Sequence, residues 1–231
     1  MRPHPAQVHR RQQGGVSMKT YVFDLDGTLT DSNGLWLDVD YAFLGRRGLT
    51  PTEEYLEAVA RSIFPVAAEF TKAHYGLEDD PGDIMAEWEA LAAHQYTHEV
   101  ALKPGVAAFL AQCRRKGIPM AVFTACRRTL CTAALERFGL TDTFEQVVYA
   151  DEIGLEKHHP ECFARLSRLL GVSPKDCVFF DDSPSNCATA KAAGMETVGV
   201  FDRFFAHRQE ELRASCHRYI CSFEELLDGS L

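Results

Sequence analysis

The sequence has no apolar run of the roughly 18–20 residues that a membrane-spanning helix needs, so no span is expected. It has no CxxC pair either. Its 8 cysteines are scattered at positions 113, 126, 131, 162, 177, 187, 216 and 221. In a chain of 231 residues that spacing reads as reduced thiols in a cytoplasmic protein, not as a disulfide framework. Basic residues are in deficit: Lys plus Arg number 24 against 33 Asp plus Glu, a formal net charge of -9. A nucleic-acid binder needs a cationic field to meet phosphate backbones, so that class is set aside. A small phosphorylated substrate stays open, because it needs only local positive charge. Hydrophobic residues make up 46% and charged residues 25%, which excludes wholesale disorder.

Residues 1–17 differ from the rest. They carry Arg2, Arg10 and Arg11 and no acid. They hold no apolar run of signal-peptide length, and paired Gly and Pro residues interrupt any periodicity. A transit peptide is conceivable in a basic, acid-poor segment, but the single Ser and weak amphipathic pattern favour a disordered tail. The alternative is an upstream start codon, with Met18 as the working start.

From Met18 the chain reads strand first. Tyr21-Val22-Phe23 is a short apolar run that ends in Asp24 and turns at Gly27. Similar runs follow at Ile118–Phe123, Gln146–Tyr149, Cys177–Phe180 and Glu196–Val200. Helix-like stretches separate them at Val106–Lys116, Arg128–Phe138, Pro160–Leu170 and Pro184–Ala193. Alternation of this kind predicts an α/β fold, with a parallel sheet covered by helices on both faces. The segment 33–102 breaks the rhythm. It offers only amphipathic helical stretches, at Leu35–Arg46, Pro51–Ile63, Val66–Tyr75 and Pro81–Glu99. The expectation is a core over 18–32 and 103–231 with an inserted helical cap over 33–102, re-entered at the turn Lys103-Pro104-Gly105.

Asp24-Leu25-Asp26-Gly27-Thr28 stands where the first strand ends. Residues i and i+2 of a strand point to one side, about 7 Å apart. Two carboxylates are thus expected to leave the sheet edge together, at the end where open parallel sheets bind ligands. Paired acids invite a hard divalent cation, Mg²⁺ above all, and can divide nucleophile and acid/base work. Val178-Phe179-Phe180 is a second apolar strand ending in acids, Asp181 and Asp182. Consecutive buried carboxylates are costly unless a cation or hydrogen bonds hold them.

Asp24-Leu25-Asp26-Gly27-Thr28-Leu29-Thr30-Asp31-Ser32 resembles the first signature of the haloacid dehalogenase superfamily. Ala121-Val122-Phe123-Thr124-Ala125 resembles its second motif. Lys157, within Gly154-Leu155-Glu156-Lys157-His158-His159-Pro160, resembles its third, with His158 in place of the usual Pro and Glu156 in place of a small residue. Val178–Asn186 resembles its fourth. The resemblance spans about residues 19–202 and implies a Rossmann-like core. The alternative, that these acids are only caps and turns, requires coincident strand-end placements in the right order.

The resemblance implies Asp24 as nucleophile and Asp26 as general acid/base. It implies Thr124, the Ala125 amide and Lys157 as the phosphoryl-oxygen holders. Mg²⁺ would be bound by Asp24, Asp26 through its main-chain carbonyl, and Asp182. Asp181 would bind directly, through water, or only in support. The acid at Asp26 favours phosphoryl transfer over dehalogenation, since halide departure needs no proton. The cap resembles those of the β-phosphoglucomutase-like and phosphoglycolate-phosphatase-like branch, which close over the site and read the leaving group. The mutases carry a His where Trp36 stands, and no His occurs between His9 and His74.

The expected function is therefore a Mg²⁺-dependent phosphatase acting on a small phosphorylated metabolite. A sugar-phosphate mutase and a non-catalytic binding protein on the same fold are the alternatives. Candidate substrate residues in the cap are Trp36, Arg61 and Ser62. Arg127 and Arg128 are placed to reach phosphate or to favour solvent. His94 and His98, i and i+4, are read as a solvated face and not as zinc ligands. Cys126 is read as a packing residue.

Overall fold

The computed structural model describes residues 19–60 and 62–227. The expected tail at 1–17 and the cap candidate Arg61 lie outside them. The elements run β1 (Thr20–Phe23), α1 (Asn33–Gly45), α2 (Glu53–Val59), α3 (Phe64–Tyr75), α4 (Pro81–His98), α5 (Val106–Arg115), β2 (Met120–Thr124), α6 (Arg128–Arg137), β3 (Gln146–Tyr149) and α7 (Ala150–Ile153). Then come α8 (Pro160–Leu170), β4 (Cys177–Asp181), α9 (Pro184–Ala192), β5 (Glu196–Val200), α10 (Gln209–Ser215) and β6 (Arg218–Ile220). The strands form one parallel sheet in the order β3-β2-β1-β4-β5-β6. This is the α/β architecture that the alternation of elements predicts and the Rossmann-like core that the resemblance implies.

Both faces of the central strands are covered, so their side chains are apolar except at the ends, Thr20, Thr124 and Asp181. Val22 points to one face, among Phe123, Phe163, Leu166 and Phe179. Tyr21 and Phe23 point to the other, against Phe109, Phe180 and Phe223. The Phe23 and Phe180 rings stack at 4.6 Å between centroids. The covering helix α8 starts at Pro160, with His159 accepting from the Glu161 amide at 3.2 Å, and ends at left-handed Gly171. Its buried residues Cys162, Phe163 and Leu166 lie on one stripe.

Among the described residues between β1 and α5 the longer elements are helices, α1–α4, whose aromatic side chains interlock. Trp88 of α4 meets Phe43 of α1 and Phe64 of α3 edge-on, each at 5.6 Å. The two connections to the sheet run side by side. Thr30 pairs antiparallel with Leu102, the Asp31 amide donates to the Ala101 carbonyl at 2.9 Å, and the Lys103 amide donates to the Leu29 carbonyl at 2.9 Å.

The elements differ from the sequence reading in several places. The helix expected over Pro51–Ile63 stops at Val59, capped at its start by Thr52. The strand expected from Ile118 starts at Met120, because the Ile118 amide is still tied to the Cys113 carbonyl at the end of α5 and Pro119 has no N–H to pair. β6 was not anticipated: at 3 residues it is too short to show alternation, and its pairing with β5 creates it. The short helices α7 and α10 were also not anticipated. All eight cysteines are free, seven of them buried. No helix among the described residues is long and apolar enough to cross a membrane.

Candidate active site

Parallel strands in register end together, and their carboxyl ends are where open α/β sheets collect ligands. Phe23 of β1 pairs with Val122 of β2 and with Phe180 of β4. Asp24, Thr124 and Asp181 therefore sit at one edge, on neighbouring strands. The Asp24 amide donates to the Phe180 carbonyl at 2.9 Å, which extends the ladder to the acid itself. Asp26 does not continue the strand as the i, i+2 argument expects. A tight loop presents it instead. Gly27 turns the chain at φ 78°, and the Thr30 hydroxyl donates to the Leu25 carbonyl at 2.9 Å. A Cβ on Gly27 would lie 2.2 Å from both Asn33 Nδ2 and Asp182 Oδ2, so the backbone approaches Asp182 as only glycine allows.

Asp24, Asp26, Thr124, Ala125, Lys157 and Asp182 all line one cavity of about 400 Å³. Helices α1–α4 supply much of its remaining wall, Trp36 included, and Ser62 joins it from the link between α2 and α3. Lys157 is buried, with Nζ against Asp24 Oδ1 and 3.2 Å from Asp181 Oδ2. Thr124 Oγ1 accepts from the Cys126 amide at 2.9 Å. The Ser62 hydroxyl donates back to the Ala58 carbonyl at 3.0 Å.

The two consecutive acids are used differently. Asp182 faces the cavity and accepts from Asn33 Nδ2 at 2.7 Å. Asp181 does not line the cavity. Its carboxylate takes the Ser183 amide at 2.8 Å, Asn186 Nδ2 at 3.2 Å and Lys157 Nζ at 3.2 Å. As the last residue of β4 it turns into the start of α9, and these partners occupy both oxygens. Of the three roles open to Asp181, this placement fits support.

Burial dominates the electrostatics. It pushes the Asp24 carboxyl up to about 7, against the pull of Lys157. Burial, and then the carboxylates of Asp181, Asp24 and Asp202, push Asp182 well above the usual carboxylate range. Burial raises Asp26 too, opposed by hydrogen bonds from Ser32 and Tyr96. Burial works against the Lys157 charge, but Asp24 and Asp181 outweigh it and hold the ammonium firmly protonated.

Carboxylates crowded out of water are stabilised by a cation, and an all-oxygen set suits Mg²⁺. Among the described residues no three His, Cys, Asp or Glu side chains form a cluster set for a metal. The side chains of Asp24 and Asp182, supplemented by a main-chain carbonyl, are the donor set that fits. The Asp26 side chain is engaged elsewhere, with Ser32 Oγ donating to its Oδ1 at 2.6 Å.

Two partners of the site were missed. Tyr96 of α4, fully buried, donates its hydroxyl to Asp26 Oδ1, and the Trp36 indole N–H donates to the Tyr96 hydroxyl at 3.0 Å. In sequence Tyr96 shares the apolar stripe of Trp88 and Ala92, so it reads as packing. Asn33 carries no signal beyond its place at a helix start. Arg127, Arg128, His94 and His98 do not line the cavity, whereas Cys126 does, beside Asp26. Arg127 bridges Glu89 of α4 and Asp151 of α7, and Arg128 pairs with Glu152 at the surface. The His94 and His98 rings stack at 4.6 Å on an exposed face. Burial pushes the Cys126 thiol well up, which makes it unreactive.

The family model of haloacid dehalogenase-like hydrolases matches residues 18–194. The chain belongs to that family. A phosphoglycolate phosphatase of Rhodospirillum rubrum is 33% identical over 190 residues, covering 78% of each chain. Hexitol phosphatase A of Escherichia coli is 29% identical over 184 residues, covering 79% of this chain and 82% of its own. The crystal structure of β-phosphoglucomutase from Clostridium difficile superposes with a TM-score of 0.74 at 20% identity, over 90% of this chain and 93% of that one. At that identity the likeness speaks for the fold of this haloacid dehalogenase-like hydrolase, not for its substrate.

Proposed function

We propose that this haloacid dehalogenase-like hydrolase is a phosphatase that hydrolyses small phosphoric monoesters through an aspartyl-phosphate on Asp24. The observation that carries the reading is the pair Asp24 and Asp26 on one cavity wall, with Lys157 held against Asp24. An Asp24 oxygen attacks phosphorus, and the bond from phosphorus to the ester oxygen breaks. Asp26, protonated, gives its proton to the departing oxygen. Asp26, now ionised, takes a proton from water, whose oxygen attacks phosphorus and releases Asp24 and inorganic phosphate. Lys157, the Thr124 hydroxyl and the Ala125 amide orient and neutralise the phosphoryl oxygens. Asp24, Asp182 and the Asp26 carbonyl would hold Mg²⁺, which would screen the nucleophile from the anionic ester. Asp181 would fix Lys157 in place. Helices α1–α4 act as the cap over the site.

Relatives that are phosphatases support hydrolysis, and so does Trp36. An indole N–H only donates, so Trp36 cannot pass a proton between sugar hydroxyls as an imidazole can. The test is phosphate release from sugar phosphates, phosphoglycolate and nucleotides, with Mg²⁺ and with chelator. Release that needs the metal and is absent in Asp24→Asn is expected. Isomerised sugar phosphate without release would replace the reading with a mutase.

A further inference from the structure

The cavity has another carboxyl group at its cap end. Asp40 lies on α1 four residues beyond Trp36, on the same face and roughly 6 Å further along the axis. It lines the cavity and is 8% exposed. The Tyr55 hydroxyl donates to Asp40 Oδ1 at 2.8 Å. Tyr55 is backed in turn by the Thr71 hydroxyl at 3.3 Å. Among the described residues Tyr55 is its partner, and no cation is.

The surroundings suit a positive charge. Trp36, Phe64 and Trp88 from the cap, with Phe204 and Phe205 from the segment after β5, line the same cavity. Phe64 meets Trp36 edge-on at 5.2 Å and Trp88 at 5.6 Å. Glu53 of α2 adds another acid to the wall. The Lys and Arg in the described lining already have carboxylate partners. Lys157 is taken by Asp24 and Asp181, and Arg208 is held by Glu211 at 2.8 and 2.9 Å. An anionic leaving group would meet these acids. A cation would complete Asp40 and face aromatic rings.

Resting on the phosphatase reading, we propose that the substrate is the phosphate monoester of an amino alcohol. Its phosphoryl group lies at Asp24 and its protonated amine lies at Asp40 among the rings. Burial raises the Asp40 carboxyl to about 7, as expected of an acid that lacks its counter-ion.

The test compares phosphoethanolamine and 4-aminobutyl phosphate with the matched hydroxyalkyl phosphates and with phosphoglycolate. p-Nitrophenyl phosphate serves as a reference ester for the wild type. The better amine ester should exceed its hydroxyl match by about tenfold or more in kcat/KM, and phosphoglycolate should be the poorest. Asp40→Asn should bring that ratio close to one. A hydroxyl ester or phosphoglycolate preferred by the wild type, or a ratio unchanged in Asp40→Asn, overturns the proposal. Should Asp40→Asn fail to fold, the wild-type ranking decides alone. Should no ester be hydrolysed, p-nitrophenyl phosphate included, the phosphatase reading fails by itself. Calorimetric titration of Asp24→Asn then judges the amine site. Tighter binding of the amine ester than of its hydroxyl match upholds it, and equal binding overturns it.

Discussion

Asp26 receives hydrogen bonds from both sides of the cavity. Ser32 reaches it from the loop that follows the first strand, and Tyr96 reaches it from the cap. A general acid must be held at hydrogen-bond reach of the oxygen it protonates, so these two donors set its aim. Asp26→Asn should lower kcat by about 10²–10⁴ in steady-state assays, the usual worth of a positioned acid/base. Tyr96→Phe keeps the ring and removes one charge-assisted bond. It should lower kcat about 10–100-fold with KM nearly unchanged, marking Tyr96 as a positioning residue. Gly27→Ala would force a Cβ into Asp182 and Asn33 at a φ of +78°, so both phosphate release and melting temperature should fall. Asp24, Asp26, Thr124, Lys157 and Asp182 were legible because each stands at a strand end or in a named signature. Tyr96 was not, because nothing in its helix distinguishes a tyrosine that packs from one that also points its hydroxyl at a carboxylate.

Helix α1 shows how one element can serve several parts of the site. Asn33 at its start touches Asp182, Gly34 makes room for the Phe204 ring, Trp36 reaches Tyr96, and Asp40 faces the far end of the cavity. Its apolar periodicity made it legible as a helix. The faces it shares between cap packing and cavity were not, because both need the same i, i+4 spacing. The contact of α4 with the core has its own fastening. Arg127 pairs with Glu89 on α4 and with Asp151 on α7, at 2.9 Å in the second case. Its side chain is 33% exposed, and pairs open to solvent are worth little. Arg127→Met should raise KM by less than about fivefold, and salt should raise the wild-type KM toward the variant's value in titrations of ionic strength.

At the scale of the whole molecule, Asp40 ties stability to pH. In the folded chain its carboxyl keeps a proton up to about pH 7, against an ordinary value of 3.8. Between those values the folded state binds more protons than the unfolded state, so Asp40's contribution to stability falls as pH rises. Urea unfolding of Asp40→Asn and wild type at pH 4.5 and 7.5 should show the variant gaining on the wild type with pH, by on the order of 3 kcal/mol. Metal should act in the opposite sense on the other acids. At a hundredfold excess over its dissociation constant Mg²⁺ stabilises by about 2.7 kcal/mol. That is a rise in Tm of about 5–10 °C, which Asp182→Asn should abolish in differential scanning calorimetry.

The sequence by itself determined the parallel α/β core, the helical insertion after its first strand, and the acids at its strand ends. Those follow from local periodicity and from residues a few positions apart, which the backbone places together wherever the strand lies. The three-residue β6 depended on a neighbour to pair with. The separate fates of Asp181 and Asp182 depended on where α9 begins and where Asn33 reaches across. The line from Trp36 through Tyr96 to Asp26, and the carboxyl of Asp40 at the far end of the cavity, exist only because α1–α4 fold back over the sheet. Contacts between residues sixty or more positions apart have no signature in a single chain. Packing of the cap on the core decides them.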